Sequence, residues 1–486
     1  MTASSNAKPE MVPLFDPKGI ALIGASANPN KWGFRILANL IVGGFEGPLY
    51  PVNPNGGEIL GIRVYPSIKK IPPDADLGIV TVPAIKVCDI LKECAGIGLR
   101  SLIIISSGFS ETGSRGEALE NELGRCARRE NMRLIGPNTM GVYSSKCNLH
   151  ALMPPLQPKI GGASYVSQSG NLGVQMLSWG RERGVGFCKF VSSGNELDLR
   201  CEDFLEYFAE DPESKVIIAY IEGLDDGIGF LQAAGTASGK KPVIVFKGGK
   251  TEDGGRAAKS HSGALAGSYS VYTAAFRQSG VIEAESTDAM LDFTTAFLHF
   301  PLPRGNRIVI MTRGGGWGVV CADACRKSGL RLVSLSERII SRLNQVLPSY
   351  WSHGNPIDFA ATLNPEAFPN CLEELIKIND VDGIIALGME YGDRTKYLAD
   401  KLKSMNRLGD IDLREERGGA SDIELALDLM DAYQKPVIMV SGVSSHTKAV
   451  SINGRETVLY SSPENAARAM AALWRYSHFL LKTKAM

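Results

Sequence analysis

The chain has 486 residues, of which 44% are hydrophobic and 21% charged, and its 52 Lys plus Arg balance 52 Asp plus Glu. A formal net charge of zero argues against a dedicated nucleic-acid-binding protein, which normally carries a basic excess. No run reaches the roughly 18 apolar residues that a membrane-spanning helix needs. The polar first 13 residues also lack the apolar run of a secretory signal. Length alone predicts about three domains.

The nine cysteines are scattered and form no CxxC pair. Cys321 and Cys325 are four residues apart, on one face of a predicted helix, but no second pair of metal ligands follows. This usage is typical of buried thiols in a reducing cytosol and not of a structural zinc site. We therefore expect a cytoplasmic protein with no metal site on this chain.

From Lys18 onward, short apolar runs alternate with longer amphipathic segments. The first run, residues 19–26, ends in small residues and is followed by a helix-like stretch at residues 32–44. Strand candidates and helical patterns continue to alternate as far as residue 147. This alternation predicts parallel βαβ units in an open, doubly wound sheet. The first domain is predicted over residues 1–147.

Two further blocks repeat the same rhythm. The second is predicted over residues 148–300 and ends at FLHFPLPRG, where two prolines and a glycine indicate a linker. The third, residues 301–486, opens with NRIVIMTRGGGWG. The sequence thus predicts an α/β protein with three tandem doubly wound parallel-sheet domains.

Each predicted domain has a glycine-bearing turn between a strand and a helix, at residues 24–33, 167–173 and 312–318. Glycine lets the backbone approach a ligand closely, and a helix start offers unpaired N–H groups to phosphate. In the second turn, Ser169 is either an ordinary helix cap or a phosphate contact. The consecutive glycines of the third turn favour an approach to an anion, because glycine is costly in chain entropy.

Residues 248–268 are rich in glycine and serine and contain His261, one of six histidines. We expect an exposed loop that leads into a helix. Small neighbours leave the imidazole room to move, and a helix start could hold a phosphoryl group on a ring nitrogen. A lone histidine is more often structural, so that alternative remains open.

A phosphorylated histidine needs a carboxylate on its other ring nitrogen, which fixes the tautomer and raises nucleophilicity. Glu222 ends the predicted strand KVIIAYIEG. Strand-end carboxylates in open α/β sheets face the functional crevice, so Glu222 is the candidate. A solvated strand-terminal charge is an equal alternative.

Eight segments carry a family resemblance, in this order: GIALIGASANPNKWGFRILANL, YPVNP, GPNTMG, YVSQSGNLG, IEG, SHSGALAG, GGGWGVVCADACRKSGL and GNPIDF. They resemble the α part of acyl-CoA synthetases that form ADP or GDP, relatives of the succinyl-CoA synthetase α subunit. The resemblance covers roughly residues 14–475. It implies a Rossmann-like CoA-binding domain, a flavodoxin-like phosphohistidine domain and a second flavodoxin-like domain, the ligase domain.

The resemblance also implies the site residues. CoA would bind Gly24, Ser26, Lys31, Asn53, Pro54, Val82, Pro83, Ser107, Pro137 and Asn138. Phosphate would be held by Ser169, Gly170, Ser262 and Gly263. The catalytic pair would be His261, which is phosphorylated, and Glu222, which orients it.

In the implied mechanism, acyl-CoA and phosphate form an acyl phosphate, and His261 carries the phosphoryl group to ADP or GDP. The family's nucleotide chemistry resides in an ATP-grasp part, whereas only another α/β block follows residue 300. We therefore expect a hetero-oligomer in which a separate ATP-grasp β subunit binds ATP/ADP or GTP/GDP with Mg²⁺. We expect no nucleic-acid or membrane partner.

Two other functions compete with this interpretation. A non-catalytic CoA-binding regulatory module has no need of a phosphoryl acceptor, so the presence of both His261 and Glu222 favours the enzyme. An NAD(P)-dependent dehydrogenase is the weaker alternative. The first domain lacks a clean glycine fingerprint, and YPVNPNGG stands where an acidic residue would follow the second strand.

Overall fold

The computed structural model describes residues 9–256, 269–360, 362, 364–389, 400–405, 407 and 420–485. The chain divides into two compact units. The first comprises Met1–Arg181 and Val185–Met290, and the second comprises Glu182–Gly184 and Leu291–Met486. Among the described residues, two large sheets and one two-stranded hairpin belong to the first unit, and one large sheet belongs to the second.

The first sheet is entirely parallel, because every strand is reached through a crossover. Its region contains β1 (Ile20–Ile23), β2 (Leu49–Val52), β3 (Glu58–Ile59), β4 (Ile62–Arg63), β5 (Leu77–Val80), β6 (Ser101–Ile104) and β7 (Arg133–Ile135). Its helices are α1 (Val12–Phe15), α2 (Trp32–Gly43), α3 (Val87–Gly96) and α4 (Ser114–Glu130). The strand order is β2-β1-β5-β6-β7, while β3 and β4 form a separate hairpin. The order reverses between β1 and β5, which is where a doubly wound sheet binds ligands.

The second sheet combines a parallel core with an antiparallel edge. Its strands are β8 (Gly141–Ser144), β9 (Leu149–Leu152), β10 (Ile160–Ser167), β11 (Phe187–Ser192), β12 (Val216–Ile221), β13 (Val243–Lys247) and β14 (Ile282–Ala284). Its helices are α5 (Gly170–Glu182), α6 (Cys201–Glu210), α7 (Gly227–Ser238) and α8 (Tyr269–Ser279); the next helix, α9 (Thr287–His299), begins in the first unit and continues from Leu291 in the second. The strand order is β14-β13-β12-β10-β11-β8-β9, with β8 antiparallel to both of its neighbours. The predicted domain boundary at residue 147 falls between the paired strands β8 and β9 and stays a prediction.

The third sheet lies in the second unit. Its strands are β15 (Arg307–Thr312), β16 (Arg331–Leu332), β17 (Ile357–Asp358), β18 (Gly383–Met389), β19 (Val437–Ser441), β20 (Lys448–Ile452) and β21 (Arg455–Tyr460). Its helices are α10 (Gly315–Lys327), α11 (Glu337–Leu343), α12 (Ala367–Ile376), α13 (Ala420–Tyr433) and α14 (Pro463–Ala485). The order is β16-β15-β18-β19-β21-β20; β17 also pairs with β15, and only β20 runs antiparallel. Residues 252–256 and 400–404 are helical as well.

The central strands are buried on both faces, as the apolar runs of the sequence predict for parallel sheets. All four residues of β1 and all seven of β18 are buried. Within the first unit, Phe15 of α1 stacks on Tyr207 of α6 with ring centroids 5.0 Å apart. The predicted α/β class with three mostly parallel sheets is confirmed. In the described ranges, no helix has both the length and the apolar character needed to cross a bilayer.

Each of the three predicted glycine turns connects a strand to a helix: β1 to α2, β10 to α5 and β15 to α10. In the first of these three connections, glycine lets the start of α2 contact the end of β1. A Cβ on Gly33, in the first turn of α2, would lie 2.2 Å from the carbonyl oxygen of Gly24. Only glycine allows α2 to start this close to the end of β1.

We expect Gly33→Ala to lower the melting temperature, because the added methyl group must push α2 away from Gly24, at a cost of about 1–3 kcal/mol. Gly96→Ala is the matched control, since a Cβ on Gly96 at the end of α3 would meet no atom within 4 Å. The control should be neutral or slightly stabilising. Thermal unfolding of both variants by circular dichroism is the measurement. Equal melting temperatures for the two would contradict the close-contact interpretation.

Candidate functional site

A cavity of about 890 Å³ opens at the carboxyl ends of the strands in the first unit. It is lined by residues that directly follow five strands, β5, β6, β10, β11 and β12, by residues 138–140 after β7, and by the start of α2. Each sheet contributes residues beside the point where its strand order reverses. In the first sheet this point lies between β1 and β5, and in the second it lies at β10, which has β11 on one side and β12 on the other. The cavity therefore has the position expected of a binding site in two doubly wound sheets.

Five of the ten predicted CoA residues line this cavity: Lys31, Val82, Pro83, Ser107 and Asn138. Gly24, Ser26, Asn53, Pro54 and Pro137 are not among its lining residues. Some of the latter shape the turn after β1. Asn53 Nδ2 donates to the carbonyl of Ala25 at 2.8 Å, and the hydroxyl of Ser26 accepts from the Asn28 N–H at 3.1 Å.

Gly24 supports the same turn through its backbone. Its φ is +93°, and a Cβ there would lie 2.6 Å from Thr81 Oγ1. That hydroxyl donates towards the carbonyls of Ile23 and Gly24, each 3.1 Å away. These contacts join the ends of β1 and β5 at the edge of the cavity.

The predicted phosphate residues Ser169 and Gly170 both line the cavity, where α5 begins. The first turn of this helix therefore faces the cavity with N–H groups that α-helical pairing leaves free. A Cβ on Gly170 would lie 2.2 Å from Met140 Cγ, which explains a glycine at this position. The Leu172 N–H lies 3.5 Å from Ser169 Oγ, which is longer than an ordinary hydrogen bond. This distance therefore does not decide whether Ser169 caps α5 or contacts phosphate. Ser262, Gly263 and His261 lie outside the described residues.

Glu222 directly follows β12, lines the cavity and is 9% exposed. Three neighbours among the described residues contact it. Its N–H donates to Gln168 Oε1 at 2.6 Å, and its carbonyl accepts from Lys247 Nζ at 2.7 Å. The hydroxyl of Tyr220 donates to Oε1 of its carboxylate at 3.2 Å.

The groups around Glu222 have shifted proton affinities. Burial, and after it the charge of Glu222, raises the pKa of Tyr220, so its hydroxyl stays protonated and continues to donate. Burial lowers the pKa of Lys247, whose Nζ also lies 4.8 Å from the centroid of the Tyr272 ring. A cation over an aromatic face gains electrostatic attraction, which partly offsets the loss of water.

Two lining residues that the sequence analysis did not identify complete this part of the site. Gln168 Nε2 donates to Glu196 Oε2 at 3.0 Å and to the carbonyl of Gly223 at 2.9 Å. Glu196 Oε1 accepts from the Ser193 hydroxyl at 2.6 Å. Burial raises the pKa of Glu196 to about 7. Gln168 lies inside the SQSGNLG segment, and this position in a predicted phosphate-binding turn could have identified it as a site residue. Glu196 lies in no such motif, so nothing in the local sequence indicates a role for it.

Asn195, the chain neighbour of Glu196, also lines the cavity and binds two acidic side chains. Asn195 Nδ2 donates to Glu111 Oε2 at 2.9 Å and to Glu120 Oε2 at 2.7 Å. Asn138, a predicted CoA residue, donates to Asn195 Oδ1 at 3.2 Å. Among the residues that the structure describes, no group of His, Cys, Asp and Glu side chains could hold a metal ion.

The raised pKa of Glu196 predicts how stability varies with pH. A carboxyl that binds its proton more tightly when folded loses stability as pH rises from its ordinary value of 4.5 to about 7. Glu196→Gln keeps the shape and cannot titrate. Its melting temperature, relative to wild type in the same buffers, should therefore be higher at about pH 8 than at about pH 5. Calorimetry that gives the same difference at both pH values would contradict the burial of this carboxyl.

Comparison with known families divides the chain into three matched regions. Residues 18–145 match a CoA binding domain, residues 160–297 a succinyl-CoA ligase like flavodoxin domain, and residues 308–391 a ligase-CoA domain. The cavity is lined entirely by residues of the first two regions and of the short segment between them.

Characterised relatives cover most of the chain. It is 35% identical to the acetate–CoA ligase (ADP-forming) I subunit alpha of Pyrococcus furiosus, over 97% of this chain and 98% of the relative. It is 43% identical to the II subunit alpha of the same organism, over 77% of this chain and 81% of the relative.

A solved structure also matches at full length. The dinucleotide-forming acetyl-coenzyme A synthetase 1 of Ca. Korarchaeum cryptofilum, in complex with phosphate and ADP, has a TM-score of 0.80 and 32% identity. The match covers 98% of this chain and 99% of that chain. The chain is therefore an acid–thiol ligase subunit, and it belongs to the family of α subunits of nucleoside-diphosphate-forming acyl-CoA synthetases.

Proposed function

We propose that this chain binds CoA and carries the phosphoryl group on His261 while acyl-CoA, phosphate and ADP or GDP interconvert with free acid, CoA and ATP or GTP. The observation that carries the proposal is one cavity lined by five predicted CoA residues, the start of α5 and Glu222. Binding, phosphate and positioning groups thus share one space.

The reaction would run in three balanced steps. Phosphate attacks the acyl-CoA carbonyl, the carbon–sulfur bond breaks, and CoA leaves as the thiol with an acyl phosphate remaining. A ring nitrogen of His261 then takes the phosphoryl group and releases the free acid. Phospho-His261 finally transfers that group to ADP or GDP, which regenerates the neutral imidazole.

The start of α5 is suited to the phosphate of the first two steps. Backbone N–H groups at a helix start have no partner within the helix, and the positive end of the helix dipole favours an anion there. The helix is 13 residues long. Ser169 and Gly170 would contact this phosphate directly, and Ser262 and Gly263 would complete the site.

The chain that leads to His261 starts beside Glu222. Strand β13 ends at Lys247, whose ammonium group contacts the Glu222 carbonyl, and the Gly248 N–H donates to Ile221 at 2.8 Å. A Cβ on Gly248 would lie 2.5 Å from the Tyr220 hydroxyl. We propose that Glu222 accepts the N–H of His261 and thereby fixes its tautomer.

The nucleotide and Mg²⁺ would bind an ATP-grasp β subunit. The P. furiosus relative that this chain matches over 98% of its length is itself named a subunit alpha. The acetate–CoA ligase (ADP-forming) of Methanocaldococcus jannaschii, whose name specifies no subunit, is 36% identical to this chain. That match covers only 63% of the length of the relative. The additional length of that relative supports a second component in the reaction of this chain.

We expect His261→Asn to abolish phosphorylation of this chain, because asparagine has no nucleophilic ring nitrogen. The complex with the ATP-grasp subunit is incubated with [γ-³²P]ATP, and the label is tested for stability. Wild type should carry an acid-labile, base-stable label, whereas His261→Asn carries none and still binds CoA. His446→Asn, which alters an exposed histidine of the second unit, is the matched control and should label normally.

The opposite result identifies the alternative function. If a partner that is active with a related α subunit leaves wild type unlabelled, although CoA binds tightly, the chain is a CoA-binding regulatory module. A label that persists in His261→Asn would move the phosphoryl group to another residue.

Glu222→Gln should slow phosphorylation by one to two orders of magnitude, because a neutral amide no longer stabilises the charge that develops on the imidazole. Rapid-quench labelling measures this rate. Calorimetric titration with CoA checks that its binding is retained. A wild-type labelling rate would leave Glu222 with no part in the transfer.

A further inference from the structure

Gln168 and Glu196 connect the ends of three adjacent strands. We infer that these two side chains form a positioning pair that fixes the main chain at Glu222 and thereby sets the rate of phosphoryl transfer to His261. The inference rests on the proposed role of Glu222 and adds two residues that act through it.

The carboxamide of Gln168 uses both of its ends on the loop after β12. Its Oε1 accepts from the N–H groups of Glu222 at 2.6 Å and Gly223 at 3.2 Å. Its Nε2 donates to the carbonyl of Gly223 at 2.9 Å. One side chain thus pairs three main-chain groups at the point where the strand ladder stops, and buried main-chain groups require such partners.

Glu196 fixes which way this carboxamide faces. Because two N–H donors face one end of the group, the oxygen belongs there and the NH₂ faces Glu196 Oε2 at 3.0 Å. An acceptor at position 196 therefore favours the orientation that holds Glu222. Glu196 is itself held by the Ser193 hydroxyl at 2.6 Å and has a φ of +56°.

The three residues follow neighbouring strands. Glu196 comes after β11, Gln168 after β10 and Glu222 after β12, and the sheet order is β12-β10-β11. The pair therefore spans the strand ends at the cavity, and all three side chains line it. A shift of about 1 Å in a catalytic group can reduce a rate by about 10²-fold, so small changes in this pair should be measurable.

Exchanging donor and acceptor tests the pair. Gln168→Glu places a carboxylate oxygen against Glu196 and the Gly223 carbonyl, and it should slow labelling of the complex by [γ-³²P]ATP by about 10- to 100-fold. The double substitution Gln168→Glu with Glu196→Gln places a donor at position 196 opposite an acceptor at position 168, which restores a hydrogen-bonded pair with the direction reversed. We expect it to recover at least about tenfold of the lost rate. Recovery is partial, because the Gly223 carbonyl still faces an oxygen.

Three readouts separate positioning from general damage. The CoA dissociation constant should stay within about twofold of wild type and the labelling rate should change, since only the position of Glu222 is altered. Glu210→Gln makes the same chemical change in an ion pair with Lys240 at the end of α6 and is the control. It should label at the wild-type rate. Melting temperatures establish that each variant is folded.

Every outcome decides the inference. A double variant as slow as Gln168→Glu alone, or a Gln168→Glu variant as fast as wild type, overturns it. If Gln168→Glu does not fold, Glu196→Ala replaces it: a rate reduced at least about tenfold supports the pair, and a wild-type rate overturns it. Wild type that takes no label overturns the proposed function itself, whereas a labelled wild type with unaffected variants overturns only the pair.

Discussion

The burial of the Glu222 carboxylate is the constraint on which the rest of the site depends. A carboxylate that is 9% exposed must exchange water for fixed partners, since an unpaired buried charge costs several kcal/mol. The structure supplies a hydroxyl from Tyr220 on the carboxylate, and it fixes the main chain through Gln168 and Lys247. Most of these partners belong to strands next to β12 or directly follow them, so the sheet itself determines where the carboxylate lies.

The same constraint explains the glycines around the cavity. Functional groups from several strands can converge only if their main chains come close together. Gly33 contacts Gly24 at the start of α2, and Gly170 contacts Met140 at the start of α5. In both cases a helix start is brought to the edge of the cavity, where its N–H groups can meet an anion. The conformational entropy that glycine loses on folding is offset by this placement.

The fold was predictable because its signal is local and repeated. Apolar runs that end in small residues give β1, β10 and β15, and the predicted glycine turns follow all three. The antiparallel strands β8 and β9 were not predicted, because their short apolar runs look the same whichever way they pair. Sheet direction is decided by connection length, and four residues between two strands allow only an antiparallel hairpin.

The site was predictable only in part. Ser169 and Glu222 could be located, since each comes at a strand end. Half of the predicted CoA residues do not line the cavity, and Asn53 instead holds the turn after β1. A sequence motif contains both the residues that contact a ligand and the residues that shape the ligand-binding loop. The motif alone therefore does not distinguish the two groups. Glu196 could not be found at all, because its importance arises from contacts with Gln168 and Ser193 in three dimensions.

Charge decides how phosphate could enter this cavity. Five carboxylates line it: Glu117, Glu120, Glu196, Glu222 and Asp225. Lys31 is the single cation among the described lining residues, so side-chain charge alone would repel CoA and phosphate. Two features reduce this repulsion. The starts of α2 and α5 present N–H groups and positive dipole ends, and a pKa of about 7 leaves Glu196 partly neutral near neutral pH. In the proposed mechanism, the carboxylates would act on the imidazole of the phosphorylated histidine, while the helix starts among the described residues would hold the phosphoryl group.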